Sequence, residues 1–94
     1  STDMNQSDVK ALTARYAKVI ALNVWVCRKA SEMTQQELAA KVGCSKPAVS
    51  RLEAGEHLPS LTTLLKVATA LGVTPCRLLE EPKEDSVPVK PRGK

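Results

Sequence analysis

Phenylalanine is absent from this 94-residue chain, and tryptophan and tyrosine occur once each. A core without aromatic bulk must be built from small aliphatic side chains, as in a compact domain. At this length folding hides about two thirds of the unfolded chain's surface, which allows one domain and excludes a multidomain enzyme. Cysteine is scarce and odd in number. Cys27, Cys44 and Cys76 show no C-x-x-C spacing, so neither a disulfide framework nor a zinc site is expected, and all three read as reduced thiols. Long apolar runs are also missing. The longest, Val19 to Cys27, is interrupted by Asn23 and falls far short of the ~20 residues of a membrane span. Arg28 and Lys29 follow it directly in place of a small-residue cleavage site, so it does not read as a signal peptide. The expected location is the cytoplasm, with no membrane partner and no cofactor or metal.

Charge is present in modest excess, and its placement says more than its size. The net charge is +4, and all of it lies before Glu80, because residues 80–94 hold four basic and four acidic side chains. A basic domain with a neutral tail points to a polyanion, nucleic acid before membrane. The tail EEPKEDSVPVKPRGK has three prolines and no run able to bury a face, and is expected to be disordered. Residues 1–7 are polar and expected to be flexible, leaving 8–79 as the domain.

Within that domain the pattern is helical, with no convincing strand alternation. Val9, Leu12, Tyr16, Val19, Ile20, Val24 and Cys27 recur at three- and four-residue spacings, which predicts a long amphipathic first helix with room for one break. Thr34-Gln35-Gln36-Glu37 is a capping box, and Met33 with Leu38 forms a hydrophobic staple around it. The second helix buries Leu38, Ala39 and Val42 and closes at Gly43. Ser45 caps a third helix with Pro47 at its second position, so that the serine hydroxyl must take the N–H of Ala48. Val49 and Leu52 form its apolar stripe, and Gly55 ends it. Ser60 caps a fourth helix carrying Leu64, Leu65, Ala68 and Leu71, stopped by Gly72. Thr74-Pro75 opens a short fifth helix, stapled by Val73 and Leu78.

Two short helices joined by Gly43-Cys44-Ser45 must cross steeply, as in a helix-turn-helix. Such a crossing needs a small residue at the contact, a glycine in the turn and aliphatics on the second helix. Ala39, Gly43, Val49 and Leu52 meet these demands together.

The segments TQQELAAKVGCSKPAVSRLEAG and PSLTTLLKVATALGVTPCRLL resemble the Cro/repressor-type, or XRE-like, helix-turn-helix family from roughly Val19 to Leu79. The resemblance implies a compact all-α, five-helix DNA-binding domain, here with an extended first helix. It further implies a homodimer that places its third helix, about 45–54, in the major groove of a palindromic operator. Gln35 matches a glutamine that holds a phosphate beside the N–H groups of a helix terminus, and Ser45 a residue that caps and touches phosphate. Periodicity sets Lys46, Pro47, Ser50 and Arg51 opposite Val49 and Leu52, with Ala48 beside them, and in the family this face meets the bases. Arg51 and Lys46 are expected to carry most direct readout, since Pro47 and Ala48, where the family often has polar residues, offer only apolar surface. Arg28 and Glu53 match an ion pair between helices one and three. His57 lies in a loop where the family often sets basic residues against phosphate, though Glu56 beside it is acidic. Val73, Leu78 and Leu79 match the dimerisation segment, where the two leucines lie near a two-fold axis or complete the core.

The expected function is therefore a sequence-specific transcriptional regulator, a repressor or autoregulator, binding double-stranded DNA in association with the nucleoid. An alternative is an antitoxin that also holds a protein partner through residues 1–18 or 80–94. The Val9, Leu12, Tyr16 stripe covers the core or extends the dimer, with core packing the first expectation. An enzyme built on Cys27 or Cys44 with His57 lacks an orienting third group and is not expected.

Overall fold

The computed structural model describes residues 5–82, which form five α-helices: α1 (Gln6–Ala30), α2 (Gln35–Val42), α3 (Lys46–Ala54), α4 (Leu61–Leu71) and α5 (Pro75–Leu79). The tail expected to be disordered falls outside the described residues from position 83 on. Helix α1 starts inside the segment expected to be flexible. The reason is a second capping box, in which the Asn5 side chain accepts from the Asp8 N–H at 3.0 Å and the Asp8 carboxylate from the Asn5 N–H at 3.2 Å. From there α1 runs unbroken for 25 residues. It ends where the Ser31 N–H returns to Cys27 and Arg28 and the chain turns through Glu32, a non-glycine residue at φ +55°.

The remaining helix ends follow the cap chemistry of the sequence. The Thr34 hydroxyl accepts from the Glu37 N–H at 3.0 Å while the Glu37 carboxylate accepts from the Thr34 N–H at 2.7 Å. That backbone donor holds the Glu37 carboxyl below its ordinary pKa. Gly43 adopts φ +86°, the left-handed turn that lets α3 begin after two further residues. Ser45 Oγ accepts from the Ala48 N–H at 3.2 Å, with Pro47 in the first turn. Ser60 and Thr74 cap α4 and α5 in the same way.

One core unites all five helices: Ile20, Val24 and Cys27 from α1, Leu38 and Ala39 from α2, Val49 from α3, Leu64, Val67, Ala68 and Leu71 from α4, and Leu78 from α5. Helix α1 is the wall on which α3 and α5 rest, while α4 packs against α2 and α5. The loop after α3 lies close on α1 because Gly55 meets Ala17 and Ala21. A Cβ at Gly55, which is itself at φ +70°, would sit 3.3 Å from the Ala21 Cβ.

Two expectations about the core change. Leu65 is exposed and Val67 is buried in its place. Thr62, Thr63, Lys66 and Thr69 gather on one flank of α4, and Leu65 lies at the edge of the apolar stripe beside them, while Val67 lies at the opposite edge, which docks. Val9 and Leu12 are exposed and Tyr16 half-buried, so this stripe is not core. Burial on α1 begins at Ala17, and before it Leu58 and Leu79 approach the stripe only across an open groove.

Candidate nucleic-acid interface

The helix-turn-helix is held from behind by a buried ion pair. Arg28 Nε donates to Glu53 Oε2 at 2.6 Å and Nη2 to Oε1 at 3.0 Å, with both side chains at least nine-tenths covered. The third guanidinium nitrogen donates to the Met33 carbonyl at 2.8 Å, so one arginine fixes the end of α1, the entry to α2 and the last turn of α3. A bidentate fork of this kind fixes orientation as well as distance.

Gln35, the first residue of α2, joins the same cluster. Its Nε2 donates to Glu53 Oε1 at 3.1 Å and the residue is half-buried, so the amide is oriented and not freely solvated. The sequence contains no local signal for this link, since the partners stand 18 positions apart.

On the outer side of α3, Lys46, Pro47, Ser50 and Arg51 are all exposed, and Val49 and Glu53 are buried on the inner side. Ser45 is exposed at the N-cap. Ala48 is turned partly inward. It is half-buried and lines a cleft of about 180 Å³ with Val42, Cys44, Thr63 and Lys66. His57 and Glu56 are exposed in the loop between α3 and α4. The outward surface thus presents two cations, a hydroxyl and one apolar ring on a rigid helix.

The residues matched to dimerisation divide. Leu78 has no exposed surface, so it completes the core and offers nothing to a second copy; Val73 is half-buried against the core. Leu79 is 39% exposed. What the sequence did not disclose is how α5 is fastened to α1. Asn23, buried at 4% exposure, donates to the carbonyls of Leu78 at 2.8 Å and Glu80 at 2.9 Å and accepts from Arg77 Nη1 at 3.2 Å. Its one visible trace was a polar residue in phase with the buried face of α1.

Among the described residues, no group of three His, Cys, Asp or Glu side chains is placed to hold a metal ion, and no helix is long and apolar enough to cross a membrane.

Comparison with known proteins agrees with this geometry. The helix-turn-helix family model matches residues 27–78. The chain is similar to the uncharacterized HTH-type transcriptional regulator YqaE of Bacillus subtilis, at 34% identity over 69% of this chain and 56% of YqaE. It is similar also to RstR, the cryptic phage CTXphi transcriptional repressor of Vibrio cholerae, at 38% identity over 50% of this chain and 42% of RstR. The chain therefore spans about half the length of these two relatives. Among solved structures, the hypothetical transcription factor NHTF from Neisseria superposes with a TM-score of 0.68 at 33% identity, covering 73% of this chain and 79% of that one. The five-helix fold, the contact of α2 with α3 across the Gly43 turn and the matched span together place the chain in the Cro/repressor-type, XRE-like helix-turn-helix family of DNA-binding regulators.

Proposed function

We propose that the chain represses or autoregulates transcription as a homodimer, with α3 of each copy in the major groove of a palindromic operator. The observation that carries this reading is the exposed row Lys46, Pro47, Ser50 and Arg51 on a helix whose other side is locked to α1 by the Arg28–Glu53 pair. Arg51 and Lys46 suit bidentate donation to guanine O6 and N7, Ser50 suits either a donor or an acceptor edge, and Pro47 suits a thymine methyl. Gln35 suits a phosphate, because its Nε2 carries two hydrogens and Glu53 takes one of them. Ser45 and the first N–H groups of α2 and α3 suit the same backbone contact, and His57, exposed in the loop after α3, suits a further phosphate. The repressor name of RstR supports the direction of regulation.

Selection from a randomised duplex library at near-physiological salt tests this reading. A two-fold symmetric motif with half-sites about one helical turn apart, lost in the Lys46→Ala/Arg51→Ala variant, is the expected result. Enrichment of no motif, with weak and salt-sensitive binding only, would overturn it.

A further inference from the structure

The first turns of α1 are left uncovered by the domain, meeting it through the Arg15–Glu81 pair and across a groove to Leu58 and Leu79. Every residue from Asn5 to Arg15 is exposed, while burial on the same helix begins at Ala17. These turns bury no side chain of their own, and their helical form rests on the Asn5 cap and on continuity with the docked part of the helix. Yet they carry an apolar stripe, Val9, Leu12 and Tyr16, that continues into a groove of about 420 Å³ completed by Thr13, Leu58 and Leu79. Four aliphatic side chains in this groove are 39% exposed or more. Contiguous apolar surface of this kind marks an interaction site on a small domain.

The charges beside the stripe identify the occupant. At 100° per residue, Asp8 and Arg15 lie on the same flank of α1, seven positions apart, each one residue before a stripe position. Two copies of such a helix laid antiparallel about a two-fold axis keep like flanks together. In the register that sets Val9 of each copy against Leu12 of the other, Asp8 of each copy comes beside Arg15 of the other, twice by symmetry. A second copy thus matches this arm in the Val9–Leu12 spacing and in charge, with Tyr16 of each copy lying beside the capped end of the other helix.

We infer that the projecting arm of α1, with Leu58 and Leu79, is the seat of a second copy of this chain, paired antiparallel through Val9 and Leu12 and flanked by Asp8–Arg15 pairs between copies. This rests on the homodimer reading and gives that dimer a surface built mainly on α1, with Leu79 at its edge. Arg15, which in one chain bonds to Glu81 at 2.8 Å, stays at the rim of the pairing.

Sedimentation velocity of the full chain over a range of concentrations tests the inference, with circular dichroism to confirm the fold of each variant. Leu12→Glu is expected to weaken self-association about tenfold or more, while Ala14→Glu, the same charge on the opposite face of the same helix, leaves it unchanged. Arg15→Glu is expected to weaken it several-fold, and adding Asp8→Asn, which keeps an acceptor for the cap, recovers part of the loss. That recovery reports contact between copies, since the repulsion of Glu81 within one chain remains. A dimer that tolerates Leu12→Glu would overturn the arm as its seat while leaving the homodimer reading intact. A chain that stays monomeric, with hydrogen exchange at residues 9–16 slowed equally at all concentrations, would assign the groove to the chain's own segments and overturn the inference. If it also loads the selected duplex one copy at a time, both readings fall.

Discussion

Replacing Glu53 with alanine removes the counter-charge from a guanidinium sealed between α1 and α3. In the intact protein Arg28 meets Glu53 through two hydrogen bonds, of 2.6 and 3.0 Å, and the arginine side chain keeps 9% of its exposure. Desolvation of an ion at this depth is offset only by a well-placed partner, so stranding one member costs about 3–5 kcal/mol. A domain of this size has about 5–15 kcal/mol in all, and each kcal/mol moves its melting midpoint by roughly 4–8 °C. Urea denaturation at neutral pH should therefore show a midpoint far below that of the parent, with an unchanged slope. The control is Arg28→Met/Glu53→Met, which removes both charges and should recover most of the loss, because paired burial is itself of small net value. A loss below about 1 kcal/mol for Glu53→Ala would mean that the pair is wet and does not hold α3.

Four further outcomes are expected. Ala39→Leu, at a position with no exposed surface in the crossing of α2 and α3, should destabilise by about 1–3 kcal/mol or more, read as a lower melting temperature. Arg51→Ala should relax preference at one base position per half-site by about 1–3 kcal/mol, seen as a flattened column in the selected motif. Gln35→Ala should weaken binding to all duplexes about equally; a changed preference would make Gln35 a reader and not a positioning residue. The Glu37 carboxyl, held below its ordinary value by the Thr34 N–H, stabilises the fold above the unfolded-state pKa. That contribution is lost as pH falls through the folded-state value. Stability of Glu37→Gln should accordingly vary less with pH across the acidic range than that of the parent, as followed by thermal melts.

The parts legible in the sequence were those governed by local rules. The caps pair Thr34 with Glu37 and Ser45 with Ala48, three residues apart, and Gly43 turns the chain between them, so spacing alone disclosed the caps, the turn and hence the contact of α2 with α3. The outward face of α3 followed from periodicity because Val49 and Leu52 fix its phase. Contacts between distant positions were not legible in the same way. Nothing near Gln35 announces Glu53, and nothing near Asn23 announces the carbonyls of Leu78 and Glu80, because these links exist only once the helices have docked. Leu65, expected in the core, is exposed because it borders the polar flank of α4, and which edge of the apolar stripe docks is decided by α2 and α5, not by spacing within α4. The stripe on the first turns of α1 was visible, but the boundary between covered and uncovered helix was not, since it depends on how far the other four helices extend.

The central claim is that the exposed face of α3, with Gln35 behind it, meets DNA. Titrating the selected duplex into isotopically labelled protein and following the backbone amides by NMR tests it most directly. The account predicts the largest shifts at Gln35 and at residues 45–51, with the α1 arm little changed by DNA itself. Shifts centred on the α1 arm or on α5, with residues 45–51 unmoved, would contradict it.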